Sequence, residues 1–290
     1  VSLSKESFIS INNIFFGTLI FSTMLGVLYP LIYEFIYDQK ISVGAPFYNA
    51  IFVPITLIAC IFLYFSIDSK WQQSFNFKSL YQPLFLSITA SSIIVALAFY
   101  KFLIVNFWTL ASLLIGSIII IRYLIVIYFY FVYKKFANFF SIIAHCGLGL
   151  LIISIALNDN LSSERALNIK INETEVYKDH QINFKNLRVV PGPNFDSVKA
   201  DFVITNPNGK VFTLTPEKRK YFARGQVTTE TAIHASALKD IYITIGDQLD
   251  DGSWIVNIQF NVFIRWIWFS AIMMVVAGIL LVHSLARSRS

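Results

Sequence analysis

The fold class predicted by the sequence is a membrane bundle of six transmembrane helices, with a small antiparallel β-rich extracytoplasmic domain between the fifth and sixth. Three observations predict it. Of 290 residues, 56% are hydrophobic and only 14% are charged, against about a quarter charged in soluble domains. Six apolar runs, the third of them short, approach or reach the roughly 17 to 25 residues needed to cross about 30 Å of hydrocarbon. Between the fifth and sixth runs the composition turns polar and strand-like over residues 158–262. The net charge of +6 does not point to nucleic acid, because the basic residues are scattered at the ends of apolar runs and form no stripe.

The predicted spans are residues 8–28, 48–67, 84–99, 105–127, 139–157 and 263–282. They divide the chain into a five-helix region (1–157), the β-rich domain (158–262) and a last helix with a short cytoplasmic tail (263–290). Lysines and arginines of the short connections set the orientation. Lys5, Lys70, Lys78, Lys134, Lys135, Arg287 and Arg289 fall on one side, and Lys40 and Lys101 on the other. Both termini are therefore expected on the cytoplasmic or matrix side, and the β-rich domain on the periplasmic or intermembrane side. Trp266 and Trp268, near the start of the last span, suit interfacial anchors.

Within 158–262 two hairpins are expected. The run ADFVITNPNGKVFTLT turns at Asn206-Pro207-Asn208-Gly209, and DIYITIGDQLDDGSWIVNIQF turns at Asp250-Asp251-Gly252. The expected result is a barrel or a sandwich. Cys60 and Cys146 lie within apolar runs, and the sequence has no CxxC and no CxxCH. The chain thus carries no zinc knuckle, redox motif or covalent haem attachment site of its own. No signal-peptide pattern follows Val1, and a longer parent or a removed start is expected.

His145 stands inside the fifth span, in SIIAHCGLGLLIISIALN. An ionisable group at that depth is normally paired, cavity-facing or bound to a ligand. Ser141 lies one turn before it and Gly149 one turn after, on one helix face. Two readings stand on these residues. In one, the small residues leave a flat surface for a porphyrin whose iron takes the imidazole. In the other, the histidine bonds a neighbouring helix and the glycines allow close packing. Cys146 is expected as a packing group, His283 as an interfacial residue, and His180 and His234 as surface residues. Lys218 and Arg219, with Lys220, are candidates for a docking surface or a haem propionate contact, against a solvated turn as the alternative. Glu34 and Asp38, at the outer end of the first span and four residues apart, are expected to share a helix face and are candidates for accepting protons from a quinol, against simply marking where the helix meets water.

The chain resembles the C-terminal part of the CcmF family, the haem lyase membrane subunits of cytochrome c maturation. LSKESFISINNIFF is similar to the family's SRESLLLxNN, GVLYPL to its GTLYPL, ISVGAPFYNAIFVPI to its outer loop and AHCGLGLLIISIA to its AHxGxAxxxxGIA helix. GPN at 192–194, PEKRKYF at 216–222, TETAI at 229–233, KDIYITIGDQLDDGSWIV and FIRWIW continue the series in order.

The resemblance implies cytochrome c-type biogenesis: a haem lyase that attaches haem to the thiols of apocytochrome c in a bacterial or mitochondrial inner membrane. It implies His145 as one axial ligand to the iron of a transmembrane haem b, with Gly149 as a porphyrin-packing position. That haem would pass electrons from quinol to the iron of a substrate haem delivered by a periplasmic haem chaperone. The implied partners are membrane lipid, the N-terminal remainder of the protein, apocytochrome c, the chaperone, a thiol-handling maturation subunit and quinol. The family's tryptophan-rich WWD segment, its outer histidines and the second haem b ligand have no counterpart here. They are expected before Val1, and the chain alone is expected to be inactive. His234 and Cys146 depart from residues common in the family. A transporter or permease subunit and a non-catalytic assembly scaffold are the alternatives. Paired Gly/Pro-broken spans, the mark of the former, are not evident in the sequence.

Overall fold

The computed structural model describes residues 4–67, 69–74, 77–133, 139–223 and 225–287. Six helices among the described residues are long and apolar enough to span a membrane. They are α1 (Lys5–Tyr37), α2 (Ala45–Ser66), α3 (Tyr81–Phe102), α4 (Phe107–Tyr133), α5 (Phe139–Leu161) and α6 (Ile264–Arg287). Each expected span falls on one of them, and the chain is a multi-pass membrane protein. Lys134, Lys135 and Arg289, on which the expected orientation partly rests, lie outside the described residues.

Helix ends follow local chemistry. Pro46 occupies the first turn of α2, where its missing N–H has no intrahelical partner to lose. Asn106 caps α4, its Oδ1 accepting from the backbone N–H groups of Trp108 (2.9 Å) and Thr109 (3.3 Å). Asp38 closes α1 in the left-handed region (φ 52°), its N–H donating to Glu34 O at 2.9 Å. This corrects one expectation. Glu34 and Asp38 do not share a helix face, because Asp38 has left the helix, and the Glu34 carboxylate lies 3.8 Å from Lys40 Nζ.

The chain divides into two compact units, one comprising residues 1–156 and 267–290, the other Leu157–Trp266. In the helical unit α1 packs on α2, and α4 on both α2 and α3. Its best-buried apolar cluster joins Leu57 and Cys60 of α2, Ile119 and Tyr123 of α4, and Ile142 and Ile152 of α5. Two glycines set the spacing of α5. A Cβ at Gly149 would lie 2.7 Å from the backbone oxygen of Gly116 in α4, and one at Gly147 3.1 Å from the backbone oxygen of Ser270 in α6. Without side chains there, the helix backbones approach closely.

The second unit is a sandwich of ten antiparallel strands. The shorter sheet has the order β1–β10–β9–β8, from β1 (Ser163–Ile169), β8 (Ala232–His234), β9 (Lys239–Gln248) and β10 (Trp254–Val262). The longer has the order β2–β3–β4–β6–β7, with β5 also paired to β4. Its strands are β2 (Thr174–Tyr177), β3 (His180–Pro191), β4 (Phe195–Thr205), β5 (Val211–Leu214), β6 (Glu217–Tyr221) and β7 (Val227–Glu230).

Alternation places Ile241, Ile243 and Ile245 of β9, Val256, Ile258 and Phe260 of β10, and Phe202 and Ile204 of β4 in one buried core. Phe184 and Phe202, directly opposite in the β3–β4 register, stack at 4.6 Å. Both expected hairpins form. Gly209 (φ 75°) and Gly252 (φ 80°) supply the left-handed residues of their turns, and Asp251 accepts from the Ser253 hydroxyl (2.6 Å) and backbone N–H (3.0 Å).

Candidate functional site

His145 is placed in α5 with its ring fixed from two directions. Its Nδ1 lies 2.6 Å from the Ser141 carbonyl oxygen and 3.2 Å from the Ser141 hydroxyl. A carbonyl oxygen only accepts, so Nδ1 carries the proton and donates it back one helical turn. In the neutral ring the lone pair is then on Nε2, the tautomer needed by an imidazole that binds metal through Nε2. Among the described residues nothing hydrogen-bonds Nε2. On one face of the ring, Tyr123 of α4 stacks at 5.1 Å between centroids with the planes only 15° apart. The imidazole is half-buried. This donor set fits an axial ligand to haem: an imidazole whose Nδ1 proton is held by a backbone carbonyl and whose Nε2 has no hydrogen-bond partner among the described residues.

Ser141 meets the expectation of proximity, but as a partner of the imidazole. Gly149 is a correction. The space it opens is taken by Gly116 and Ile120 of α4, so it is a helix-packing glycine, with no room left there for a planar ligand. Cys146 packs against the same apolar cluster that holds Cys60, as expected of a small apolar group.

Within PEKRKYF, Glu217–Tyr221 form strand β6, so Lys218, Arg219 and Lys220 lie in a sheet and not in a solvated turn. Lys218 is ion-paired to Asp247 of β9. Arg219 is paired to Glu217, lies 3.6 Å from Glu230, and sits over the Phe195 ring at 4.9 Å. Burial by itself would raise the Glu217 carboxyl. Hydrogen bonds from Ser197 and Arg219, with Lys199 3.4 Å away, outweigh it and hold the group below the usual carboxylate range. Both cations are thus already matched inside the domain. His180 is buried, at 4% exposure, and His234 stacks on Phe212 at 3.7 Å, so neither is an ordinary surface residue. His283 is exposed near the end of α6.

Two residues of α4 escaped the sequence reading. Arg122, the only charged residue of that helix, is 5% exposed. A single arginine in an apolar span is itself a signal. Tyr123, also 5% exposed, gives none, because a stack between helices has no trace in the spacing along either.

A family model described as the CcmF C-terminal beta-sandwich matches residues 160–262. The chain is 26% identical over 288 residues to the cytochrome c-type biogenesis protein CcmF of Pseudomonas fluorescens, covering 96% of this chain and 43% of that protein. Against CcmF of Haemophilus influenzae the identity is 28% over 290 residues, covering 96% and 44%. Against CcmF of Escherichia coli it is 26% over 280 residues, covering 96% and 43%. The chain is similar to CcmF over most of its length, and its β-rich unit matches that family's C-terminal beta-sandwich. A solved structure titled cytochrome c heme lyase CcmF shares the fold, with a TM-score of 0.75 at 14% identity, over 96% of this chain and 45% of that one. The chain therefore spans less than half the length of the CcmF proteins it matches.

Proposed function

We propose that this chain is the C-terminal part of a cytochrome c haem lyase, and that His145 is one axial ligand of a haem b held among the helices. The observation that carries the reading is the imidazole itself. It is presented from a membrane span with Nδ1 donating to Ser141 at 2.6 Å and Nε2 without a hydrogen-bond partner among the described residues, in a chain similar to CcmF over 96% of its length. When bound, such a haem would pass electrons from quinol to the iron of the substrate haem, which must be reduced while cysteine thiols add across its vinyl groups.

The residues of this chain have limited tasks in that scheme. The Ser141 carbonyl holds the proton on Nδ1 and so keeps Nε2 a Lewis base. Gly147 and Gly149 let α6 and α4 close on α5 and fix where His145 stands. The β-sandwich, assigned to the periplasmic or intermembrane side, offers a surface where apocytochrome c and haem meet. The second ligand, and the groups that hold the substrate haem, are assigned to the N-terminal remainder.

The test is co-expression of this chain with that remainder, omitting the haem chaperone so that the substrate site stays empty. A b-type absorption spectrum and pyridine haemochrome are expected in the wild type and absent in His145→Ala. Haem retained unchanged in the variant would make His145 a packing residue. A haem-free wild type would leave an assembly scaffold.

A further inference from the structure

We propose that Tyr123 is the positioning residue that fixes the plane of the His145 imidazole, so that α4 sets the orientation of a ligand carried by α5. The inference rests on the reading of His145 as a haem ligand. It adds a determinant on a different helix that neither the sequence nor the ligand role supplies.

An imidazole on a helix has two soft torsions. The hydrogen bond from Nδ1 to Ser141 O, at 2.6 Å, limits both but leaves the ring free to rock about the line joining those atoms. A flat neighbour removes that freedom. The Tyr123 ring lies 5.1 Å from the imidazole centroid, with an angle of 15° between planes, within the range of offset aromatic stacking. Tyr123 can serve as a wall because it is itself enclosed. It is 5% exposed and belongs to the apolar cluster of Ile119, Ile142 and Leu57, drawn from three helices. The close Gly116–Gly149 approach, two turns further along α5 from Ser141, holds α4 near α5. In a close-packed interior such an arrangement holds one orientation and does not drift.

The consequence is electronic. Groups that orient a metal-binding imidazole tune the metal without touching it, and Tyr123 would do so for an iron held by His145. Tyr123 should therefore influence the spectrum and the potential of the iron while contributing nothing to haem retention.

The test compares wild type, Tyr123→Phe, Tyr123→Leu and Tyr123→Met, each co-expressed with the N-terminal remainder, by pyridine haemochrome, low-temperature EPR of the ferric state and redox titration. Magic-angle-spinning NMR of labelled histidine in the haem-free chain supplies a readout without the cofactor. Haem content is expected to stay within twofold of wild type throughout. Tyr123→Phe keeps the ring face and should reproduce the wild-type g values, midpoint potential and single His145 resonance. Tyr123→Leu and Tyr123→Met should shift the largest g value, broaden it, shift the midpoint and multiply the resonance.

Wild-type spectra in both aliphatic variants would overturn the proposal. So would an equal change in Tyr123→Phe, which would transfer the effect to the hydroxyl. If one aliphatic variant does not accumulate, the other decides. Loss of haem in His145→Ala alongside unaltered aliphatic variants sinks only this inference. Haem retained in His145→Ala sinks the ligand reading and this one with it.

Discussion

His180 shows how much one buried side chain can hold. Its Nδ1 lies 2.6 Å from Lys178 O, its Nε2 3.3 Å from Lys239 Nζ, and its ring 4.8 Å from that of Phe260. As with His145, the carbonyl contact requires the proton on Nδ1, which leaves Nε2 to accept from the lysine. Burial lowers the imidazole below its ordinary 6.5, and the Lys239 charge pushes the same way, against the Lys178 hydrogen bond and the Asp179 carboxylate. The unfolded chain therefore binds the proton more readily than the folded one. The stability this group contributes is complete above pH 6.5 and is lost as pH falls from there through the folded value. Thermal unfolding of the β-sandwich in the full chain, followed from pH 7.5 to 5, should show the midpoint falling, and His180→Gln should flatten that dependence. An equal slope in the variant would place the acid sensitivity elsewhere. The same residue explains a hairpin that was not legible. Lys178 and Asp179, at φ 47° and 61°, form a two-residue turn with both residues left-handed, a conformation that Asn-Gly announces and Lys-Asp does not. His180 clasps that turn from the side, and its bond to Lys178 is invisible in the order of residues.

Among elements, α5 is the one most tightly specified, through glycines facing opposite neighbours. Gly149→Ala would place a Cβ 2.7 Å from a backbone oxygen that cannot step aside, and overpacking of this kind typically costs about 1–3 kcal/mol. Gly278→Ala in α6 is the control, since nothing lies within 4 Å of its added carbon, and a helical glycine replaced by alanine gains up to about 1 kcal/mol. Reversible unfolding in mixed micelles should separate the two in sign, and equal effects would remove the close-contact argument. The spans were legible because length and apolarity suffice to define them. Their ends were less so. Tyr37 ends α1 well past the expected residue 28, and Pro30 lies inside the helix without ending it, as membrane helices allow when neighbouring groups re-satisfy the backbone. Alternation in β4, β9 and β10 announced strands with one buried face, but period two is the same in a sandwich and a barrel. Only the pairing order separates them.

Across the whole molecule, the lysines and arginines of the short connections set the expected orientation in the membrane, and Lys134, Lys135 and Arg289 among them lie outside the described residues. It predicts a direct result. In a background with Cys60 and Cys146 replaced by serine and alanine, Asn208→Cys in the β4–β5 turn should react with a membrane-impermeant maleimide added outside intact cells or spheroplasts. Gln73→Cys, exposed between α2 and α3, should react only after lysis. The reverse pattern would invert the expected topology and overturn the proposed place of the sandwich. The catalytic scheme was the least legible part, because a chain spanning 43% of the matching Pseudomonas fluorescens protein carries one proposed ligand of a pair. The sandwich itself is self-sufficient in another sense. Its first and last strands are partners, with Ser163 opposite Phe260 and Ile169 opposite Trp254, so the chain enters and leaves through adjacent positions in one sheet. A segment closed in this way behaves as a cassette. Evolution could lengthen its loops, exchange it between lineages or graft it into another helical host at the cost of only two neighbouring splice points.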